Sequence, residues 1–186
     1  MSVGRIAIIN VTYDFSTGKI AKNLLRSFIE KGYEARFYYG RGPVCDGEKM
    51  RLMTSKTGLY IHAFLSRLTG LPGYFSNIAT SKLLKTLKKE AIDTIIIINP
   101  HGYYINTKRL LTYIAKENLR LVYIMADESA FLGRCAVSPV CEKYKTGEGK
   151  CPNKKYYPST WFFDTCSKFL SSQAQMDHMS GSMLSS

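Results

Sequence analysis

A run of four isoleucines, Ile95–Ile98, stops at Asn99-Pro100. That junction constrains the fold more than any other stretch. A continuous β-branched run has no polar face. It fits a strand covered on both sides, as in a parallel sheet between helix layers. Proline has no N–H to give to a ladder, so a central strand ends there. Next come His101, Gly102, Tyr103, Tyr104 and Asn106. These residues would stand at the carboxyl edge of the sheet, where open α/β folds bind ligands.

The flanking segments repeat the same alternation. Arg5–Val11 predicts a first buried strand, and Ala21, Leu24, Leu25, Phe28 and Ile29 recur at helical spacing before Gly32. Between them lies Ser16-Thr17-Gly18-Lys19. Hydroxyls, backbone N–H groups and a lysine at a helix start suit a phosphate, and they suit a plain capping loop equally well. Glu34–Tyr39 predicts a second strand. A short helix is expected from Leu59, His62, Ala63 and Leu65–Leu68, with His62 packed or solvated. Ser76–Glu90 predicts a helix with Ile78, Ala79, Leu83, Leu84 and Leu87 on one face and Lys82, Lys85, Lys88 and Lys89 elsewhere. Lys108–Glu117 predicts another helix, and Arg120–Met125 a strand leading into Ala126-Asp127-Glu128. The expected fold class is α/β: a Rossmann-like parallel sheet with right-handed crossovers and helices on both faces.

The later sequence differs. Phe131–Pro158 is rich in Gly, Cys, Lys and Tyr and has no clear period, and Phe169–Ser186 is rich in Ser, Met and Gln. One folded domain over 1–168 is expected, with a cysteine loop at 127–158 and a disordered or aberrant tail at 169–186.

Composition narrows the partners. A formal net charge of +12 points to phosphate-bearing ligands, nucleic acid or an anionic membrane, or else to a solvated basic face. No apolar run is long enough to span a membrane, and the N-terminus lacks a signal-peptide core, so the expected compartment is the cytoplasm. Five cysteines there would be reduced, and clustered ones suit a metal better than disulfides.

Five segments, in this order and spacing, resemble the N-terminal half of bacterial group 1 (family 4) glycosyltransferases of the capsule, O-antigen and exopolysaccharide type. They are Asn10–Ile20, Leu68–Gly73, Asn99–Asn106, the cysteine loop from Asp127 to Pro152, and Tyr157–Asp164. The resemblance implies the N-terminal domain of a GT-B fold. In such enzymes two Rossmann-like domains face each other, with acceptor mainly on the first and nucleotide-sugar mainly on the second. It implies hexose transfer from a nucleotide-sugar donor to a lipid-linked glycan, with no cofactor required for catalysis. The relatives continue into a donor domain, and this sequence ends before one, so it is expected to be truncated and inactive alone. They also carry His-x-His where this chain has Ile96 and Ile98, His-Asp at Ala126-Asp127, and a fourth cysteine at Glu148.

On that resemblance, His101 and Asp127 are the expected catalytic groups, orienting or deprotonating the acceptor hydroxyl. Ser16, Thr17, Gly18 and Lys19 would meet the donor's phosphates. Asn99, Tyr103, Tyr104 and Asn106 would line the acceptor groove, or the tyrosines would simply pack a polar loop on the sheet. Cys135, Cys141, Cys151 and Glu148 form a candidate structural zinc site, with packed reduced thiols as the alternative. Cys45 and Cys166 read as free thiols. The positive charge fits work against the inner face of an anionic membrane, as a peripheral protein. A rival reading is a non-catalytic glycan- or phosphate-binding domain. Nucleic acid is not expected, because no recognition helix or stacking platform is legible.

Overall fold

The computed structural model describes residues 3–45, 47, 49–126, 157–163 and 165. They belong to two compact units: residues up to Phe64 with Gly73–Ala126, and Leu65–Pro72 with the described residues from Tyr157 onward.

The first unit is the expected parallel sheet. Its elements run β1 (Arg5–Thr12), α1 (Phe15–Glu30), β2 (Glu34–Arg41), β3 (Met50–Leu52), α2 (Lys56–Thr69), α3 (Asn77–Lys89), β4 (Thr94–Ile97), α4 (Thr107–Lys116) and β5 (Arg120–Tyr123). The last turn of α2 falls in the second unit. Five strands lie in the order β3-β2-β1-β4-β5, and every pairing is parallel. β1 is central, with Ile9 opposite Tyr38 on one side and Ile97 on the other.

The isoleucine run is buried on both faces, as its sequence requires. Ile95 and Ile97 join Ala7, Ile9 and Val11 under Leu83 and Leu87 of α3 and Leu110 and Ile114 of α4. Ile96 and Ile98 join Ile6, Ile8, Phe37 and Tyr39 under Ala21 and Leu25 of α1. Each buried isoleucine contributes about 1.5–3 kcal/mol by leaving water. A carboxylate at Ile96, which is 4% exposed, would have no partner in that layer and would break the sheet.

Four details differ from the sequence reading. β3 was not anticipated, because three residues are too few to show a period of two. β5 stops at Tyr123 rather than Met125, and Leu121 and Val122 are 36% and 41% exposed on this outermost strand. On α3, Ile78 faces outward at 77% exposure, while Thr80 is fully buried. On α2, His62 and Ser66 are buried and Leu59, Ala63 and Leu65 are half-buried, while Leu68 is exposed.

Glu90, just past α3, fixes that helix to the sheet. Its carboxylate accepts from Arg36 Nε and Arg51 Nη1, each at 3.1 Å, and from the Tyr38 hydroxyl at 2.5 Å. Burial and the neighbouring carboxylate hold the Tyr38 hydroxyl well above its ordinary pKa. It therefore stays a donor.

In the second unit, Trp161 N–H donates to Arg67 O at 2.9 Å, and the Thr165 hydroxyl donates to Gly70 O. Trp161, Phe162 and Phe163 are each more than half exposed.

Candidate functional site

The strand order sets the location. From β1 the chain moves outward to β2 and β3, then returns to place β4 and β5 on the other side. The reversal falls between β1 and β4, and at such a point the loops leaving the two strands separate and open a crevice. Two loops border it here: Tyr13-Asp14 before α1, and Ile98–Asn106 before α4.

The first loop is drawn tight. An added Cβ on Gly18 would lie 2.4 Å from Tyr13 O and 2.9 Å from Thr12 O. Only glycine lets the first turn of α1 sit this close to the end of β1. Asn10, fully buried in β1, donates from Nδ2 to Thr12 O at 2.8 Å and to Thr17 Oγ1 at 3.2 Å. The Thr12 carbonyl can only accept, which sets the amide's orientation. Thr17 is thereby held in the wall of the turn, while Ser16 and Lys19 are exposed.

The N-cap residue of α1, Asp14, makes no side-chain cap and instead accepts from Lys22 Nζ at 2.9 Å. The first turn contains no acid. Its N–H groups and the positive end of the helix dipole are suited to an anion.

The second loop crosses the carboxyl edge. Gly102 has φ +115, and a Cβ there would lie 2.2 Å from Val11 Cγ2 at the end of β1. Arg41 Nη2, at the end of β2, donates to Gly102 O at 2.9 Å. Tyr104 is fully buried, with its ring against Gly40, where a Cβ would approach to 2.3 Å, and its hydroxyl donates to Asn99 O at 2.7 Å. Asn106 caps α4: its Oδ1 accepts from Arg109 N at 3.0 Å, and its Nδ2 donates to Tyr74 O and Asn77 Oδ1.

His62 secures the same loop from beneath. Its Nε2 accepts from Gly73 N–H at 3.3 Å, so the proton sits on Nδ1, 2.7 Å from Ser76 Oγ. Ser76 Oγ in turn donates to Tyr103 O at 3.2 Å. Burial lowers the His62 pKa to about 4, which keeps the ring neutral.

The expected site residues therefore separate. Ser16, Thr17, Gly18 and Lys19 lie together on the first turn of α1. Asn99 and His101 stand at the end of β4, and the Gly102 contact puts their loop beside β1. The side chains of Tyr103, Tyr104 and Asn106 are buried, and Tyr104 and Asn106 spend their polar groups within the fold. Asp127 and the candidate zinc ligands Cys135, Cys141, Glu148 and Cys151 lie outside the described residues, as do Cys166 and the segment 169–186. Among the described residues, no group of three or more His, Cys, Asp or Glu could hold a metal.

Asn10 opens one of the segments that carry the resemblance but was not among the expected site residues. One polar residue inside Ile-Ile-Asn-Val was the available signal. Two amide oxygens now stand out: Asn10 Oδ1 and Asn99 Oδ1 are buried and accept no hydrogen bond among the described residues. They lie near the ends of adjacent strands. A buried acceptor left in this state has capacity for a water or a ligand donor. The edge thus brings the uncapped first turn of α1 and the open acceptors of Asn10 and Asn99 to the ends of two adjacent strands.

A sequence likeness to a known protein covers most of the chain. The chain is 25% identical over 159 residues to the "Putative colanic acid biosynthesis glycosyl transferase WcaC" of Escherichia coli strain K12. This chain is related to a glycosyl transferase. The match covers 75% of the chain and 37% of the relative, so the chain spans well under half of that protein's length. No family model matches the chain, and no solved structure does.

Proposed function

We propose that this chain is the acceptor-side portion of a GT-B glycosyltransferase of surface polysaccharide biosynthesis. It would help move a hexose from a nucleotide-sugar to a lipid-linked glycan. The observation that carries the reading is the match to a glycosyl transferase on a chain whose sheet reverses between β1 and β4. The uncapped first turn of α1, with Ser16, Thr17, Gly18 and Lys19, would face the donor's phosphates. His101 would take or orient the proton of the acceptor hydroxyl, with Asp127 as its companion. Asn99 Oδ1, which accepts nothing within the described fold, would receive a hydroxyl of the acceptor sugar.

Transfer needs the anomeric carbon held at near-attack distance, and orientation supplies much of the rate. The first turn of α1 gives a donor only a few phosphate contacts. The 186-residue chain by itself should therefore transfer little sugar. The test is radiolabelled sugar transfer from a panel of nucleotide-sugars to membrane extracts. The chain is assayed alone and fused after Lys168 to a donor domain, with His101→Ala in both forms. Activity in the fusion that falls about 100-fold or more with His101→Ala supports the proposal. Robust turnover by the chain alone, or a fusion indifferent to His101, would sink it.

A further inference from the structure

Asn10 interrupts the apolar run of β1 at a position where packing alone gives no reason for an amide. It is fully buried, and its sequence neighbours Ile9 and Val11 belong to the core. A buried amide is costly unless its groups are bonded, and Asn10 Oδ1 accepts nothing among the described residues. An apolar residue of similar size would leave no orphaned acceptor there. The use of the amide lies at its other end.

Asn10 Nδ2 spends both hydrogens on the loop that precedes α1. One goes to Thr12 O at 2.8 Å and the other to Thr17 Oγ1 at 3.2 Å. A carbonyl only accepts, so the amide is not flipped, and Thr17 Oγ1 is an acceptor toward Asn10. The Thr17 proton must point elsewhere. Among the described residues its acceptor is Thr12 Oγ1, 3.4 Å away. That is long beside the usual hydroxyl–oxygen distance of about 2.7–2.8 Å. Thr12 has given its own proton to Asp14 O at 2.8 Å, so it does not reverse the direction. Every proton in this chain is therefore assigned, and the one on Thr17 has only a weak partner. Thr17 lies in the first turn of α1, which carries no acidic side chain and stands at the positive end of the helix dipole. The neighbouring Asp14 carboxylate is paired with Lys22 Nζ at 2.9 Å.

We infer that Asn10 is a positioning residue: by donating to Thr17 Oγ1, it makes the Thr17 hydroxyl a directed donor to an oxyanion at the first turn of α1. A phosphate oxygen there replaces the long bond to Thr12 with a short, charge-assisted one. The inference rests on the reading that this turn faces the donor's phosphates, and it names the group that orients one of the turn's donors. Linked hydrogen bonds polarise one another, so an anion on Thr17 strengthens the Nδ2–H bond behind it. That effect is visible in Asn10 itself.

The test is an NMR titration of the 186-residue chain with inorganic pyrophosphate, following the backbone amides of the first turn and the side-chain amide of Asn10. The parent is compared with Thr17→Ser, Thr17→Val, Asn10→Ala and the double variant Asn10→Ala/Thr17→Val. In the parent, pyrophosphate should shift the amides of Ser16 and Thr17 and move one Asn10 Nδ2 proton downfield. Thr17→Ser keeps both effects. Thr17→Val should bind about tenfold more weakly and lose the Asn10 shift, and Asn10→Ala should weaken binding by a similar factor. The double variant should be little worse than either single one, because both remove the same directed donor. First-turn amides that shift while the Asn10 amide stays still, or Thr17→Val binding like the parent, would overturn the inference and leave the phosphate reading standing. So would losses that multiply in the double variant, as a purely structural Asn10 requires. First-turn amides unmoved by pyrophosphate would overturn the inference and the phosphate reading together. If Asn10→Ala does not fold, the Thr17 pair and the Asn10 signal of the parent decide.

Discussion

Gly102 shows how one residue can hold the crevice. Its φ of +115 disfavours any L side chain, and the nearest atom to an added Cβ is a side-chain carbon of buried Val11, 2.2 Å away. Gly102→Ala should cost about 2–4 kcal/mol, measured as a lowered urea midpoint, and should lift the loop that carries His101. His62 makes a prediction in pH. Its folded pKa is about 4, below the ordinary value of 6.5, because burial disfavours the charged ring. The unfolded chain then binds more protons between those values. The stability His62 contributes is complete above about pH 6.5 and is lost progressively as pH falls toward 4, on the order of 3 kcal/mol in all. Urea melts across that window should show the slope in the parent and a smaller one in His62→Gln. Equal slopes would mean that the ring is not buried neutral.

At the scale of elements, legibility followed length and period. The isoleucine run and the helical spacing in α1 revealed the two-faced sheet, because burial on both sides leaves an unbroken apolar signature. β3 carried no such signature. α2 was legible as a helix, but spacing did not show which apolar residue stays out: Leu59 packs on the core while Leu68 is exposed. The loop Asn99–Asn106 was legible as an edge segment, but not the division of labour within it. Tyr104 packs on Gly40, a contact between residues far apart in sequence, and Asn106 caps α4. Asn106→Ala removes the cap and the bonds to Tyr74 and Asn77, and should lower stability by about 1–3 kcal/mol in urea melts. Glu90→Ala leaves Tyr38, Arg36 and Arg51 without their shared acceptor and should cost about 2–4 kcal/mol by the same measurement.

At the scale of the molecule, the parallel sheet sets the first turn of α1 and the end of β4 along one carboxyl edge. The first turn of α1 and the end of β4 come from segments some eighty residues apart, yet the switch between β1 and β4 makes them neighbours. Amide NMR spectra of the 186-residue chain, titrated with UDP-glucose, test that placement most directly. Weak binding, about millimolar, should shift the amides of Ser16, Thr17 and Gly18 most, with smaller shifts at Asn99–Gly102. Shifts confined to the outer lysine-bearing faces of α3 and α4, with those amides unmoved, would contradict a donor-facing site at the β1–β4 edge.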